Sequence, residues 1–75
     1  MIRLRVLDIL SEQERSKYWL YKRMEMSYQN FNRMVNNETS SIHFDNLEKL
    51  SFYLNCTIDE LFERTDEHDL NNKII

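Results

Sequence analysis

The apolar positions of this chain fall into short groups whose spacing changes along its length. Ile2, Leu4 and Val6 alternate with Arg3 and Arg5, a two-residue period that fits a short edge strand over residues 2–5. From Val6 the period lengthens. Val6, Ile9 and Leu10 share one helical stripe while Asp8, Ser11, Glu12 and Glu14 lie off it, which predicts a first helix ending near Gln13 or Glu14. Ser16 is placed to cap a second helix, from Lys17 to about Arg23, with Leu20 and Met24 inward. Ser27 is placed to cap a third, from Tyr28 to about Asn36, that buries Phe31, Met34 and Val35. The stretch from Asn36 to Ser41 has no apolar residue and reads as a loop, with Asn36 and Asn37 best able to accept positive φ.

A fourth helix is predicted from about Phe44 to Leu54, with Phe44, Leu47, Leu50 and Leu54 inward. Thr57 and Glu60 have the spacing of a capping box and are expected to open a fifth helix running through Leu61 and Phe62. Residues 1–64 thus make one domain. Residues 65–75 form a polar, acidic tail, either disordered or ordered only against another subunit, with Leu70, Ile74 and Ile75 as its apolar members.

Composition supports an all-α class. The chain of 75 residues contains no Gly and no Pro, and sheet-rich folds need Gly for tight turns and bulges. No apolar run approaches the roughly eighteen residues needed to span a bilayer, and Met1-Ile2-Arg3-Leu4-Arg5 is too charged for the core of a signal peptide, so a cytoplasmic location is expected. The lone Cys56 reads as a buried thiol. His43 and His68 are far apart without metal-ligand spacing, so no metal is expected. Without Gly there is no phosphate-cradling loop, no nucleophile–base set has a catalytic pattern, and neither enzyme activity nor a cofactor is expected.

The formal charge of −3 argues at first against a polyanionic partner, but the charge is unevenly distributed. Met1 to His43 holds seven Lys/Arg against five acids, and Phe44 to Ile75 holds three against eight. One end can therefore present a mildly basic face. The run Asp59, Glu60, Glu63, Asp66, Glu67 and Asp69 reads as solvated charge. The cluster of Tyr18, Trp19 and Tyr21 reads as packing or a subunit contact, and at least one of Phe52 and Tyr53 is expected to face a partner.

The segment from Lys17 to Asn36 has helix-turn-helix spacing: two short capped helices joined by Met24-Glu25-Met26, with Leu20, Met24, Met26, Phe31 and Met34 packing them together. The face of the third helix left over holds Tyr28, Gln29, Asn32 and Arg33. These are the side chains of base readout, since Gln pairs bidentately with adenine, Arg with guanine, and a Tyr ring meets a thymine methyl or a phosphate.

The run Ser-Lys-Tyr-x-Leu-x-Lys-Arg-x-x-Met-Ser-Tyr-Gln-x-x-Asn-Arg from Ser16 to Arg33 is followed by Asn36-Asn37-x-Thr39, Leu47-Glu48-Lys49 and Leu54-Asn55-Cys56-Thr57-x-x-Glu60-Leu61. Over roughly Val6 to Phe62 this pattern resembles the Xre family, regulators related to the DNA-binding domains of lambdoid phage repressors and Cro proteins. The resemblance implies a compact five-helix domain acting on double-stranded DNA, commonly as a homodimer on a palindromic operator. It places Tyr28, Gln29 and Arg33, with Asn32 beside them, at base-reading positions. It also places Lys17 at a phosphate contact, Asn36 and Thr39 near the backbone-contacting turn, and His43 near the minor groove. Ser16, Tyr18 and Ser27 are expected to join the backbone contacts. The family usually has Ala where Tyr21 stands and Gly where Glu25 stands, and Glu14 and Arg15 replace a common Gly and an apolar residue. The implied function is a sequence-specific transcriptional regulator, a repressor; the alternative is a protein-interaction module, antitoxin-like or inhibitory, built on a degenerate helix-turn-helix.

Overall fold

Local signals set most of the architecture seen in a computed structural model, which describes residues 1–65. Strand β1 (Ile2–Leu4) leads into helix α1 (Val6–Glu12), followed by α2 (Lys17–Met24), α3 (Tyr28–Val35) and α4 (Phe44–Leu54). A single 3-10 turn (Asp59–Leu61) then gives way to strand β2 (Phe62–Arg64). Ser16 Oγ accepts the Trp19 N–H at 3.1 Å and Ser27 Oγ accepts the Asn30 N–H at 3.2 Å, so both serines cap the helices they precede. His68, Leu70, Ile74, Ile75 and the acids Asp66, Glu67 and Asp69 lie outside the described residues.

The expected fifth helix is corrected to one 3-10 turn and a strand, leaving four α-helices among the described residues. The capping box does form, with the Thr57 N–H donating to Glu60 Oε1 at 2.8 Å and the Glu60 N–H donating to Thr57 Oγ1 at 3.1 Å. It starts only one turn, because β1 claims the chain that follows. Phe62, Glu63 and Arg64 pair antiparallel with Leu4, Arg3 and Ile2, and the ladder is extended by Arg5 N–H to Leu61 O and Thr65 N–H to Met1 O, both 2.7 Å. Opposite charges face each other at its centre, where Arg3 Nε lies 2.9 Å from Glu63 Oε2.

Leu4, Val6, Ile9, Leu10, Leu20, Met24, Phe31, Met34, Val35, Leu50, Leu54 and Leu61 form one core drawn from β1, from all four α-helices and from the 3-10 turn. Phe44 is corrected from core to surface, at 87% exposure. Phe44, Leu47 and Leu50 are spaced by threes, and each such step falls about 60° short of a full turn, so Phe44 sits about 120° round the helix from Leu50. Leu47 is half-buried between them.

Among the described residues four take left-handed backbone although none is glycine: Glu14, Glu25, Asn37 and Asn55, each just past the end of one α-helix. Three of these ends close with a 6→1 hydrogen bond, Arg15 N–H to Leu10 O, Glu38 N–H to Arg33 O and Cys56 N–H to Ser51 O. The end of α2 is held differently. Lys49 Nζ donates to Met24 O at 3.2 Å and lies 3.3 Å from Glu25 Oε1, placing a cation on the negative end of the helix. Asn37 also ties the loop after α3 to β1. Its Oδ1 accepts the Leu4 N–H at 2.6 Å and its Nδ2 donates to Leu4 O at 3.1 Å, filling the bonds that a neighbouring strand would make.

Candidate nucleic-acid interface

Helix α3 is sharply two-sided. Phe31, Met34 and Val35 are buried, and at about 3.6 residues per turn Gln29, Arg33 and Asn36 fall on the opposite side. All three are exposed, and neither Gln29 nor Arg33 makes a side-chain hydrogen bond or ion pair among the described residues. Gln29 and Arg33 are one turn apart, so a long amide and a guanidinium project side by side from a helix whose other face is sealed.

The flanking residues are less free. Tyr28 is half exposed, with its ring meeting that of Tyr21 edge-on at 5.0 Å and lying 6.4 Å from Phe31. Asn32 is half-buried, and its Oδ1 is enclosed without a hydrogen-bond partner among the described residues. Asn32 thus presents only what remains of its amide, whereas Gln29 and Arg33 present exposed side chains. Tyr21, standing where a small residue is usual, is half-buried against the core, with its ring edge-on to Tyr28 at 5.0 Å and to Phe31 at 5.5 Å.

The residues expected at the DNA backbone lie at the start of α2, at the start of α3 and between the end of α3 and the start of α4. Ser16 and Ser27 accept from amides, and each hydroxyl keeps its own hydrogen to donate. Lys17 is half-buried at the start of α2 and Tyr18 is exposed beside it, with Lys22 Nζ 5.3 Å from the Tyr18 ring centre. Asn36 and Thr39 are exposed after α3, and His43 is exposed at the first position before α4, where its side chain makes no capping bond. A groove of about 690 Å³ runs between α3, the following loop and the start of α4, lined by Asn30, Arg33, Thr39, Ser40, His43 and Asn46 among others. Asn30 and Asn46 were missed by sequence reasoning. Asn30 follows Gln29 on an exposed flank and could have been found on the helical wheel; Asn46 becomes relevant only when α4 is brought against α3.

Electrostatics favour a polyanion at this end. Arg15, Lys17, Lys22, Arg23 and Arg33 pair with no carboxylate among the described residues, and Glu25, the only acid between them, is matched by Lys49. No helix among the described residues is long and apolar enough to cross a membrane. A family model described as the Cro/C1-type helix-turn-helix DNA-binding domain matches residues 3–67, most of the chain. No curated protein and no solved structure matches it at a significant level.

Proposed function

This chain belongs to the Cro/C1-type helix-turn-helix DNA-binding family, and we propose that it is a sequence-specific transcriptional repressor acting as a homodimer on an inverted-repeat operator. In this reading each subunit lays α3 in the major groove of one half-site, the two half-sites lying about one helical turn apart. Gln29 reads adenine and Arg33 guanine through paired hydrogen bonds, Tyr28 and Asn32 adjust the edges of the contact, and the backbone residues fix its register. Ser16, Lys17, Tyr18, Ser27, Asn36, Thr39 and His43 supply that framework.

The observation that supports this most directly is the face of α3, where Gln29 and Arg33 stand exposed, adjacent and unpaired above a fully buried Phe31. The test starts with selection of bound sites from random DNA at two salt concentrations. Arg33→Ala and Gln29→Ala should each lose roughly 1–3 kcal/mol of discrimination for the selected site, with helical circular dichroism unchanged. If both variants retard the selected DNA as well as wild type does, the base-reading assignment fails. Salt dependence separates this reading from a protein-interaction module, since binding that neutralises phosphates must weaken steeply with salt.

A further inference from the structure

The strand pair leaves one long side open. Its register, with bonds at Arg5–Leu61 and Met1–Thr65, turns the backbone groups of Ile2 and Leu4 outward from β1 and those of Phe62 and Arg64 outward from β2. On the β1 side Asn37 takes both the N–H and the C=O of Leu4. On the β2 side only the Phe62 N–H is taken, by Asp59 O within the 3-10 turn. The Phe62 carbonyl and both backbone groups of Arg64 have no partner among the described residues.

Beside this open side lies a groove of about 570 Å³, lined by Ile2, Ile58, Asp59, Phe62, Glu63 and Arg64. Ile2 is 64% exposed and Ile58 45%, so the groove presents apolar surface to water. Two strands alone are marginal, and three or more with a covered apolar face are the stable arrangement. Asp59 and Arg64 are both exposed, and neither makes an ion pair among the described residues.

We propose that a second copy of this chain docks here, β2 against β2 about a twofold axis at Glu63, making a four-stranded sheet that closes the two grooves on each other. The proposal rests on the homodimer reading above and gives it an interface. So short a strand offers three twofold registers, and two of them fail. Centring on Phe62 needs the Phe62 N–H groups, which Asp59 already holds. Centring on Arg64 sets two unneutralised guanidiniums directly opposite each other. Centring on Glu63 puts Arg64 of each copy opposite Phe62 of the other, so each Arg64 N–H meets a Phe62 carbonyl. The two Glu63 carboxylates then face each other, but Arg3 already neutralises each at 2.9 Å. Because the turn ties Asp59 to Phe62, the arriving Arg64 lands beside it, a cation against an acid on both sides of the axis.

The test uses the full chain in sedimentation equilibrium over a dilution series, with and without the selected operator duplex. Arg64→Asp and Asp59→Arg should each raise the dimer dissociation constant by roughly tenfold, since the twofold counts every lost pair twice. The swap Asp59→Arg/Arg64→Asp should return it to within a few-fold of wild type. Oxidation reads the register independently. In a Cys56→Ala background, Glu63→Cys should form a disulfide-linked dimer, because residue 63 meets its own copy at about 4.5 Å between Cα atoms. Arg64→Cys should not, because it sits opposite Phe62 and beyond the roughly 7 Å reach of a disulfide from its own copy. A dimer indifferent to both charge variants, a swap that fails to restore association, or cross-linking at residue 64 as ready as at 63 overturns this interface and leaves the homodimer reading standing. A chain that stays monomeric with and without duplex, as it would if its own residues 66–75 took the groove, overturns both. A dimer that binds no duplex overturns only the DNA-binding reading.

Discussion

At the strand pair, Arg3 meets Glu63 at 2.9 Å and Asp8 at 3.7 Å, and Arg5 meets Glu12 at 3.0 Å, whereas between Arg15 and Arg33 five cations meet no carboxylate among the described residues. The two regions sit in one small chain whose net charge is negative. The difference teaches that net charge is the wrong quantity for judging a polyanion-binding surface. What a phosphate feels within a screening length of about 8–10 Å is the uncompensated local charge. Charges at the strand pair are used internally, where exposed pairs contribute only about 0–1 kcal/mol each; charges on the helix-turn-helix are left for a ligand.

The largest expected effect removes what both regions share. Phe31 is fully buried at the centre of the core, and Phe31→Ala should cost about 3–5 kcal/mol. In a chain this small that loss should abolish cooperative thermal unfolding and DNA retardation together. Survival of either would mean that the two regions hold their structure independently.

A matched pair of charge reversals sharpens the contrast. Arg33→Glu should weaken duplex binding by about a hundredfold or more, through a lost base contact and phosphate repulsion, and leave the melting temperature near wild type. Arg3→Glu should do the reverse, setting like charges opposite each other across the strands at a cost of about 1 kcal/mol while changing DNA affinity little. Equal losses of affinity from both reversals would erase the distinction between the regions.

The turn within the helix-turn-helix gives a smaller effect of opposite sign. Glu25 holds φ 56°, a conformation that costs a residue with a Cβ about 1 kcal/mol. Glu25→Gly relieves that strain and loses only an exposed contact to Lys49, so it should raise the melting temperature by a few degrees. It also deletes the one acid of the basic region, so duplex affinity should rise slightly.

The least effect comes from Cys56. Burial, followed by the nearby Glu60 carboxylate and opposed by Arg5, holds its thiol above the ordinary value. The folded chain therefore retains the proton to higher pH than the unfolded one. That contribution is complete below the ordinary thiol range and is lost as pH rises through the folded value. The stability gap between wild type and Cys56→Ala, followed by denaturant titration up the alkaline limb, should shrink; a gap that widens there contradicts the assignment.

Much of this was legible in the residues themselves. Helix bounds came within a residue or two because Ser16 and Ser27 mark starts and the apolar stripes mark faces, both short-range effects. The exposed face of α3 was legible for the same reason, since removing Phe31, Met34 and Val35 leaves Gln29 and Arg33 by elimination. The conversion of the fifth helix to β2 was not, because its cause lies sixty residues away in β1, and Phe62-Glu63-Arg64 holds a single apolar residue and so shows no alternation. Phe44 misled because the spacing by threes of Phe44, Leu47 and Leu50 hides a steady rotation round the helix. The neutralisation of Arg3 and Arg5 but not of Arg15 and Arg23 depends on which acids the fold brings near, and sequence order does not give that.

The amide of Asn37 has one more consequence, for how copies of this chain can stick together. An exposed strand edge invites pairing with its neighbours, and a sheet open on both sides can go on adding strands without limit. Here the outer rim of β1 is stoppered at Leu4 by a side chain that mimics a strand. An incoming strand finds neither a donor nor an acceptor at that position, so this rim is a poor template for a neighbouring copy.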